Sequence, residues 1–206
     1  MKAMVRLTKM TERLLVFCPW LIRLQQKYYH RIVSKEVRSG LISSEDNVLC
    51  IGGGPLPCTA IEIARCTGAH VVVIDCDPAA VHTAQQIVRV MGMENSVEVC
   101  LGDGCSYDAS HFQVIHIARQ AEPQEAILRN IWTVAPRGAR ILVRHPNALL
   151  KSCYCGLPRA YASQCDRKGN AVDGTLLFTK NRKEFPGEIH AAGDRHSAHR
   201  TAYLAG

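Results

Sequence analysis

The sequence has no apolar run long enough to span a membrane. Residues 14–22 form an apolar run of about nine residues, whereas a membrane-spanning helix needs about 20. Pro19 interrupts this run, Arg13 and Arg23 flank it, and no small-residue cleavage site follows it. The sequence therefore predicts neither a transmembrane segment nor a secretory signal, and we expect a cytoplasmic protein.

The sequence also lacks the paired C-x-x-C spacing of structural zinc sites, although it contains ten cysteines. Cys153 and Cys155 are too closely spaced to specify a zinc site alone. From residue 181 onward small and polar residues dominate and histidines are scattered, which predicts a poorly ordered tail over residues 181–206. We expect free thiols in a reducing compartment and no metal site.

Acidic residues are scarce at the beginning of the chain. Residues 1–40 contain nine lysines and arginines but only Glu12 and Glu36 as acids, which accounts for the whole formal net charge of +7. We interpret these charges as the solvated face of an amphipathic helix over residues 11–39. Docking on nucleic acid or on a membrane surface is the alternative. The remainder is balanced in charge, and we do not expect nucleic acid as a partner.

No internal repeat is present, and the apolar content of 47% over 206 residues suits one α/β domain. Apolar segments alternate with helical segments of about 10–13 residues, which predicts a doubly wound, Rossmann-like and mostly parallel sheet. The predicted strands are residues 47–51, 70–75, 96–101, 112–118, 139–144 and 176–179. The predicted organisation is a basic helical extension (1–45), the sheet domain (46–180) and the tail.

A glycine turn connects the first predicted strand to a helix. Residues 48–59 have the sequence Val-Leu-Cys-Ile-Gly-Gly-Gly-Pro-Leu-Pro-Cys-Thr. The continuous apolar run predicts a strand buried on both faces, and the glycines let a ligand approach main-chain N–H groups closely. Pro57 suits a first helical turn, and Gly68 is expected to end the helix. Such a turn predicts a nucleotide-like cofactor.

Two cofactor classes use this architecture. Dinucleotide-binding proteins carry G-x-G-x-x-G, but here Pro57 replaces the third glycine. Asp75 ends the second strand and can accept hydrogen bonds from both ribose hydroxyls, whereas Asp103 follows the third strand, where it can meet an adenine amino group. A glycine turn, a ribose acid and an adenine acid on adjacent strands are typical of S-adenosylmethionine-dependent transferases. The alternative is that both aspartates only begin turns.

The turn resembles the G-x-G-P-L-P-x-T segment of nicotianamine synthases, especially the short archaeal and bacterial members. Further similar segments are Ile74–Pro78, Ala121-Glu-Pro123 with residues 128–131, Leu142–Arg144 and the pair Tyr28-Tyr29. The similarity covers roughly residues 25–180. It implies the class I S-adenosylmethionine-dependent methyltransferase fold and S-adenosylmethionine as cofactor. It also implies transfer of an aminocarboxypropyl or methyl group to a small amine or amino acid-like acceptor.

The candidate site residues lie mostly at the carboxyl ends of the predicted strands. The expected cofactor-binding residues are Gly52, Gly53, Gly54, Pro55, Leu56, Thr59, Asp75, Cys76, Asp103, Gly104 and Ala118. The expected catalytic residues are Tyr28, Tyr29, Arg144 and His145. Arg144 is interpreted either as a bidentate clamp for a substrate carboxylate or as an ion-pair partner of Glu122. The tyrosines either cover the pocket or pack their helix on the sheet, and His145 is a candidate base.

Other interpretations stay open at this point. Four cysteines (Cys50, Cys58, Cys76, Cys105) flank the expected cofactor residues, either as a soft, redox-sensitive lining or, as we favour, as small apolar filling. His116 lies within a strand and is interpreted as a core histidine. The alternatives in function are a non-catalytic S-adenosylmethionine-binding module and, disfavoured by Pro57 and Asp103, an NAD(P)-dependent oxidoreductase. Homo-oligomerisation is left open.

Overall fold

The computed structural model describes residues 19–145 and 174–181, with side chains from residue 29 onward. The helices are α1 (Pro19–Gly40), α2 (Cys58–Thr67), α3 (Pro78–Val90) and α4 (Gln124–Val134). The strands are β1 (Asn47–Ile51), β2 (His70–Asp75), β3 (Val97–Leu101), β4 (Val114–Ile117), β5 (Arg140–Arg144) and β6 (Thr175–Thr179). The predicted tail from residue 182 onward lies outside the described residues.

The described strands form one sheet in the order β3-β2-β1-β4-β5-β6, in which β6 runs antiparallel to its neighbour. The other pairings are parallel. The order reverses beside β1, because the chain continues from β1 to β2 on one side and β4 lies on the other side. Ligands bind at the carboxyl ends of the strands at such a switch point. The predicted doubly wound, mostly parallel sheet is confirmed.

The sheet is buried on both faces, which is why its strands have continuous apolar runs rather than alternating ones. Val48 and Cys50 of β1 belong to the core under α1, α2 and α3. Leu49 and Ile51, which point the other way, belong to the core under α4. At the end of α2, Gly68 adopts a left-handed conformation (φ 76°), and its N–H donates to the carbonyl of Ala64.

Helix α1 packs on α2 and on the β5–β6 edge of the sheet. Val33 and Glu36 on its inner face are buried, with 0% and 1% exposure. Arg140 of β5 ties down the end of the helix, because its Nη1 donates to the carbonyls of Gly40 and Leu41. The division of the chain at residues 45 and 180 stays a prediction. Within the described residues, no helix combines the length and the apolar character needed to cross a membrane.

Candidate functional site

The glycine turn after β1 lies so close to its neighbours that side chains are excluded. Gly52 and Gly54 have positive φ angles of 79° and 62°. A Cβ on Gly53 would lie 2.2 Å from Cγ1 of Val73, and one on Gly52 would lie 2.8 Å from Cβ of Ala121. The N–H groups of Gly52 and Gly53 both donate to the carbonyl of Ile74, at 2.9 and 3.3 Å, so a ligand meets the turn without these two donors.

Asp75, at the end of β2, holds the turn in place. Its Oδ2 accepts a hydrogen bond from the N–H of Gly54 at 2.8 Å, and its Oδ1 accepts one from the N–H of Asp77 at 3.0 Å. A carboxylate has about four acceptor positions, so capacity remains for ligand hydroxyls. The side chain is half-buried, and Cys76 beside it is exposed.

Asp103 follows the carboxyl end of β3, the strand next to β2. Its Oδ1 accepts a hydrogen bond from the N–H of Cys105 at 2.9 Å, and the residue is exposed. Gly104 is buried, and a Cβ there would lie 2.6 Å from Cγ2 of Ile51. The amide of Asn130 on α4 donates to the carbonyls of Gly104 and Tyr107, both at 3.0 Å. Asn130 therefore shapes the loop that carries Asp103.

A cavity of about 40 Å³ lies under α1, at the carboxyl ends of β1 and β4. Five candidate cofactor residues and two candidate catalytic residues contribute to its lining: Gly52, Gly53, Leu56, Thr59 and Ala118, with Tyr29 and Arg144. Asp75 and Asp103 are not part of it. The cavity therefore adjoins the glycine turn on the side of α1, and the two aspartates lie at β2 and β3.

Arg144 is the centre of a buried ionic network beside this cavity. Its Nε and Nη2 donate to the two carboxylate oxygens of Glu36, at 2.8 and 2.7 Å. Its Nη1 donates to Oγ1 of Thr59 at 2.9 Å, and the Tyr29 ring centre lies 5.5 Å from the guanidinium carbon. The hydroxyl of Thr175 on β6 donates to Glu36 at 2.6 Å. Four separate segments of the chain therefore meet here.

The bidentate partner of Arg144 is Glu36 and not Glu122, the partner that the sequence offered. A substrate carboxylate could bind only those guanidinium N–H groups that are not already bonded to Glu36 or Thr59. In the sequence alone, Glu36 is one acidic residue within a basic segment. A signal was present, because Tyr29, Val33 and Glu36 are spaced by four and three residues and so share one helix face. An acid on an apolar face indicates a buried partner.

The ionisation of this network follows from its burial and its charges. Burial by itself raises the pKa of the Glu36 carboxyl, but the neighbouring His116 and Arg144 outweigh burial and hold that pKa well below its ordinary value. Burial lowers the pKa of His116, and the charge of Arg144 lowers it further, whereas Glu36 opposes both. At neutral pH Glu36 is therefore ionised and His116 is neutral.

We expect stability to fall as the pH is lowered from 8 to 5. Below its ordinary pKa of 6.5 His116 takes up a proton in the unfolded chain but not in the folded one. Glu36 acts in the same direction below 4.5. The loss attributable to His116 is at most about 1.4 kcal/mol per pH unit, measured by urea unfolding at several pH values. A His116→Gln variant should lack this part of the slope; an unchanged slope would contradict the assignment.

The remaining candidate residues lie as follows. His145 follows β5 and is half-buried, and its main-chain N–H donates to the carbonyl of Gly174 at 2.7 Å. The side chain of Tyr28 lies outside the described part.

Cys50 and Cys58 are buried in the core and line the cavity. Burial raises the pKa of Cys50 to about 12, so its thiol stays protonated. Cys50 and Cys58 act as small apolar filling.

No protein-family model matches this chain. It is 31% identical over 118 residues to an L-histidine 2-aminobutanoyltransferase of Pseudomonas aeruginosa, a match that covers 55% of this chain and 44% of the relative. The chain thus spans less than half the length of that curated relative.

Two solved structures have a similar fold. MtNAS, a nicotianamine synthase crystallised with MTA and tNA, aligns with a TM-score of 0.67 and 26% identity, over 84% of this chain and 69% of that one. An RNA methyltransferase from Salinibacter ruber, in complex with S-adenosyl-L-homocysteine, aligns with a TM-score of 0.51 and 21% identity, over 55% and 73% of the two chains. The chain therefore has the class I S-adenosylmethionine-dependent methyltransferase fold, as its sequence predicts, and it is similar to a nicotianamine synthase and to an aminobutanoyltransferase.

Proposed function

We propose that this protein transfers the aminocarboxypropyl group of S-adenosylmethionine to the amine of a small amino acid-like acceptor. The observation that carries the proposal is the arrangement at three adjacent strand ends: a glycine turn that admits no side chain, Asp75 behind it, and Asp103 beside it. The similarity to an aminobutanoyltransferase supports this choice of transferred group over a methyl group.

The residues present suit the cofactor. The narrow clearance at Gly52 and Gly53 keeps side chains out of the turn. Asp75 keeps acceptor capacity for ribose hydroxyls, and Asp103 is exposed to meet an adenine amino group. We propose that Gly54, Pro55, Leu56, Thr59, Cys76, Gly104 and Ala118 complete the binding surface. When bound, S-adenosylmethionine supplies a sulfonium whose neighbouring carbons are open to displacement by an amine.

The acceptor is proposed to enter from the cavity under α1. Its amine must be neutral to attack, and Tyr29, Tyr28 and His145 are the proposed groups that accept its proton. The N–H groups of Arg144 that are bonded neither to Glu36 nor to Thr59 are proposed to orient an acceptor carboxylate. Because the cavity measures only about 40 Å³, which is space for only a few water molecules, the Tyr29 ring must shift when an acceptor binds.

We further propose a cytoplasmic enzyme whose acceptor resembles a free amino acid. The similar protein is named for L-histidine, which makes L-histidine the first acceptor to test. The proposed chemistry uses the residues of one chain, so the proposal applies equally to a monomer and to a homo-oligomer.

The products distinguish the alternatives. The full chain is incubated with S-adenosylmethionine and single amino acids, and the nucleoside products are separated by chromatography. We expect methylthioadenosine to accumulate with an amino acid acceptor, and Tyr29→Phe to slow its formation at least about 100-fold, the lower range of a proton-transfer contribution. S-Adenosylhomocysteine in its place would show methyl transfer. Binding of S-adenosylmethionine with neither product would indicate a binding module.

A further inference from the structure

Three metal-ligating side chains converge where α1 packs on α2, outside the site described above. They are His30 on α1 and Glu62 and Cys66 on α2. Nδ1 of His30 and Sγ of Cys66 both contact the same carboxylate oxygen, Oε1 of Glu62. The three ligand atoms lie within 4.8 Å of one another. Glu62 and Cys66 are four residues apart and therefore share one face of α2.

The spacing is close to that of a tetrahedral cation site. Zinc binds sulfur at about 2.3 Å and nitrogen or oxygen at about 2.0–2.2 Å, so tetrahedral ligand atoms lie roughly 3.4–3.6 Å apart. Sγ of Cys66 lies 3.5 Å from Oε1 of Glu62. His30 is nearer to that oxygen and has to move outward, which its 63% exposed side chain permits.

Burial and charge favour a divalent cation here. The Glu62 side chain is only 10% exposed, whereas His30 and Cys66 open to solvent. A divalent cation bound by a neutral imidazole, a carboxylate and a thiolate forms a group without net charge, which limits the cost of partial burial. The open side leaves a fourth position for water.

We propose that His30, Glu62 and Cys66 bind one Zn²⁺ ion, with water as the fourth ligand. The mixed nitrogen, oxygen and sulfur set suits zinc better than magnesium or calcium, which prefer oxygen ligands. This site does not depend on the proposed transferase activity.

The ion would hold α1 against α2 beside the part of α1 that lines the cavity. His30 directly follows Tyr29, and Glu62 lies one turn after Thr59, the residue that holds Arg144. A bound ion therefore restrains both walls of the cavity at once. Removal of the ion is expected to loosen α1 without changing the sheet.

Cobalt(II) in place of zinc tests the ligand set, because a thiolate ligand adds a charge-transfer absorption band. We expect the full chain to show this band and the Cys66→Ser variant to lack it. Competition with a chromophoric chelator should show at least ~100-fold weaker zinc binding for Cys66→Ser and for His30→Ala, since even neighbours of a ligand change affinity 10–100-fold. Deuterium exchange in residues 29–40 should slow with zinc only when all three ligands are intact.

The matched control is Cys100→Ser. The Cys100 thiol also donates to a glutamate, Glu98, at 3.2 Å, and that pair is not part of the cluster of metal-ligating groups found among the described residues. Cys100→Ser should bind zinc as the unchanged chain does. Unchanged zinc affinity in both Cys66→Ser and His30→Ala would overturn the proposal, and any binding would then belong to other cysteines and histidines of the sequence. Loss in Cys100→Ser equal to that in Cys66→Ser would overturn it too.

Discussion

Replacing Glu36 by alanine is expected to destabilise the protein by about 3–5 kcal/mol. The Glu36 side chain is fully buried and that of Arg144 is 11% exposed, so the substitution leaves a buried guanidinium without its counter-charge. It also removes the acceptor of the Thr175 hydroxyl, which links β6 to α1. Urea unfolding followed by circular dichroism measures the loss. Most proteins have a free energy of unfolding of only about 5–15 kcal/mol. The variant should therefore unfold at a distinctly lower urea concentration.

Two further variants separate charge from packing. Glu36→Gln keeps the shape and one acceptor oxygen, and it should fall between the unchanged protein and Glu36→Ala. Glu94→Ala removes an exposed ion pair with Arg89, in which the side chains are 55% and 74% exposed, and should cost less than about 1 kcal/mol. If Glu36→Ala costs no more than Glu94→Ala, the buried network does not stabilise the fold.

Asp75→Asn is expected to weaken S-adenosylmethionine binding by roughly 30–150-fold, or about 2–3 kcal/mol. Each carboxylate oxygen of Asp75 accepts a main-chain N–H, from Gly54 and from Asp77. An asparagine places its NH₂ group against one of these N–H groups whichever way it is turned. The turn must then shift, and one acceptor for the ribose is lost as well. Calorimetric titration of the folded variant measures the affinity.

The control for this substitution is Asp108→Asn. Asp108 also accepts a main-chain N–H, from Ser110 at 2.9 Å, but through one oxygen only, so an asparagine can turn its carbonyl toward that group. Asp108 is exposed and is not one of the proposed cofactor-binding residues. We expect unchanged cofactor affinity. Equal affinity of Asp75→Asn and the unchanged protein would refute the cofactor role of Asp75.

Much of the fold could be predicted because its signals are local. A strand buried on both faces requires a continuous apolar run, and residues 48–51 and 71–74 show one directly. The glycine turn and Gly68 mark positions where positive φ angles are needed, and both have them. The antiparallel direction of β6 was not predicted, because the residues between β5 and β6 carry no signal for the side from which the chain returns.

The site was predictable to the extent that its residues sit at strand ends. Gly52–Gly54, Asp75 and Asp103 follow β1, β2 and β3, and a parallel sheet necessarily brings such positions to one edge. The role of Glu36 and the meeting of His30 with Glu62 were not predicted. Both depend on how α1 lies across the sheet, which its own amphipathic pattern leaves undetermined.

The sequence by itself thus determined the parallel sheet, the glycine turn and the row of carboxylates at strand ends, because periodicity and backbone restrictions act between neighbours in the chain. Tertiary structure alone decided that Arg144 pairs with Glu36, 108 residues away, rather than with Glu122. The physical reason is that a buried guanidinium pairs with the carboxylate that helix packing places beside it in the interior, away from water.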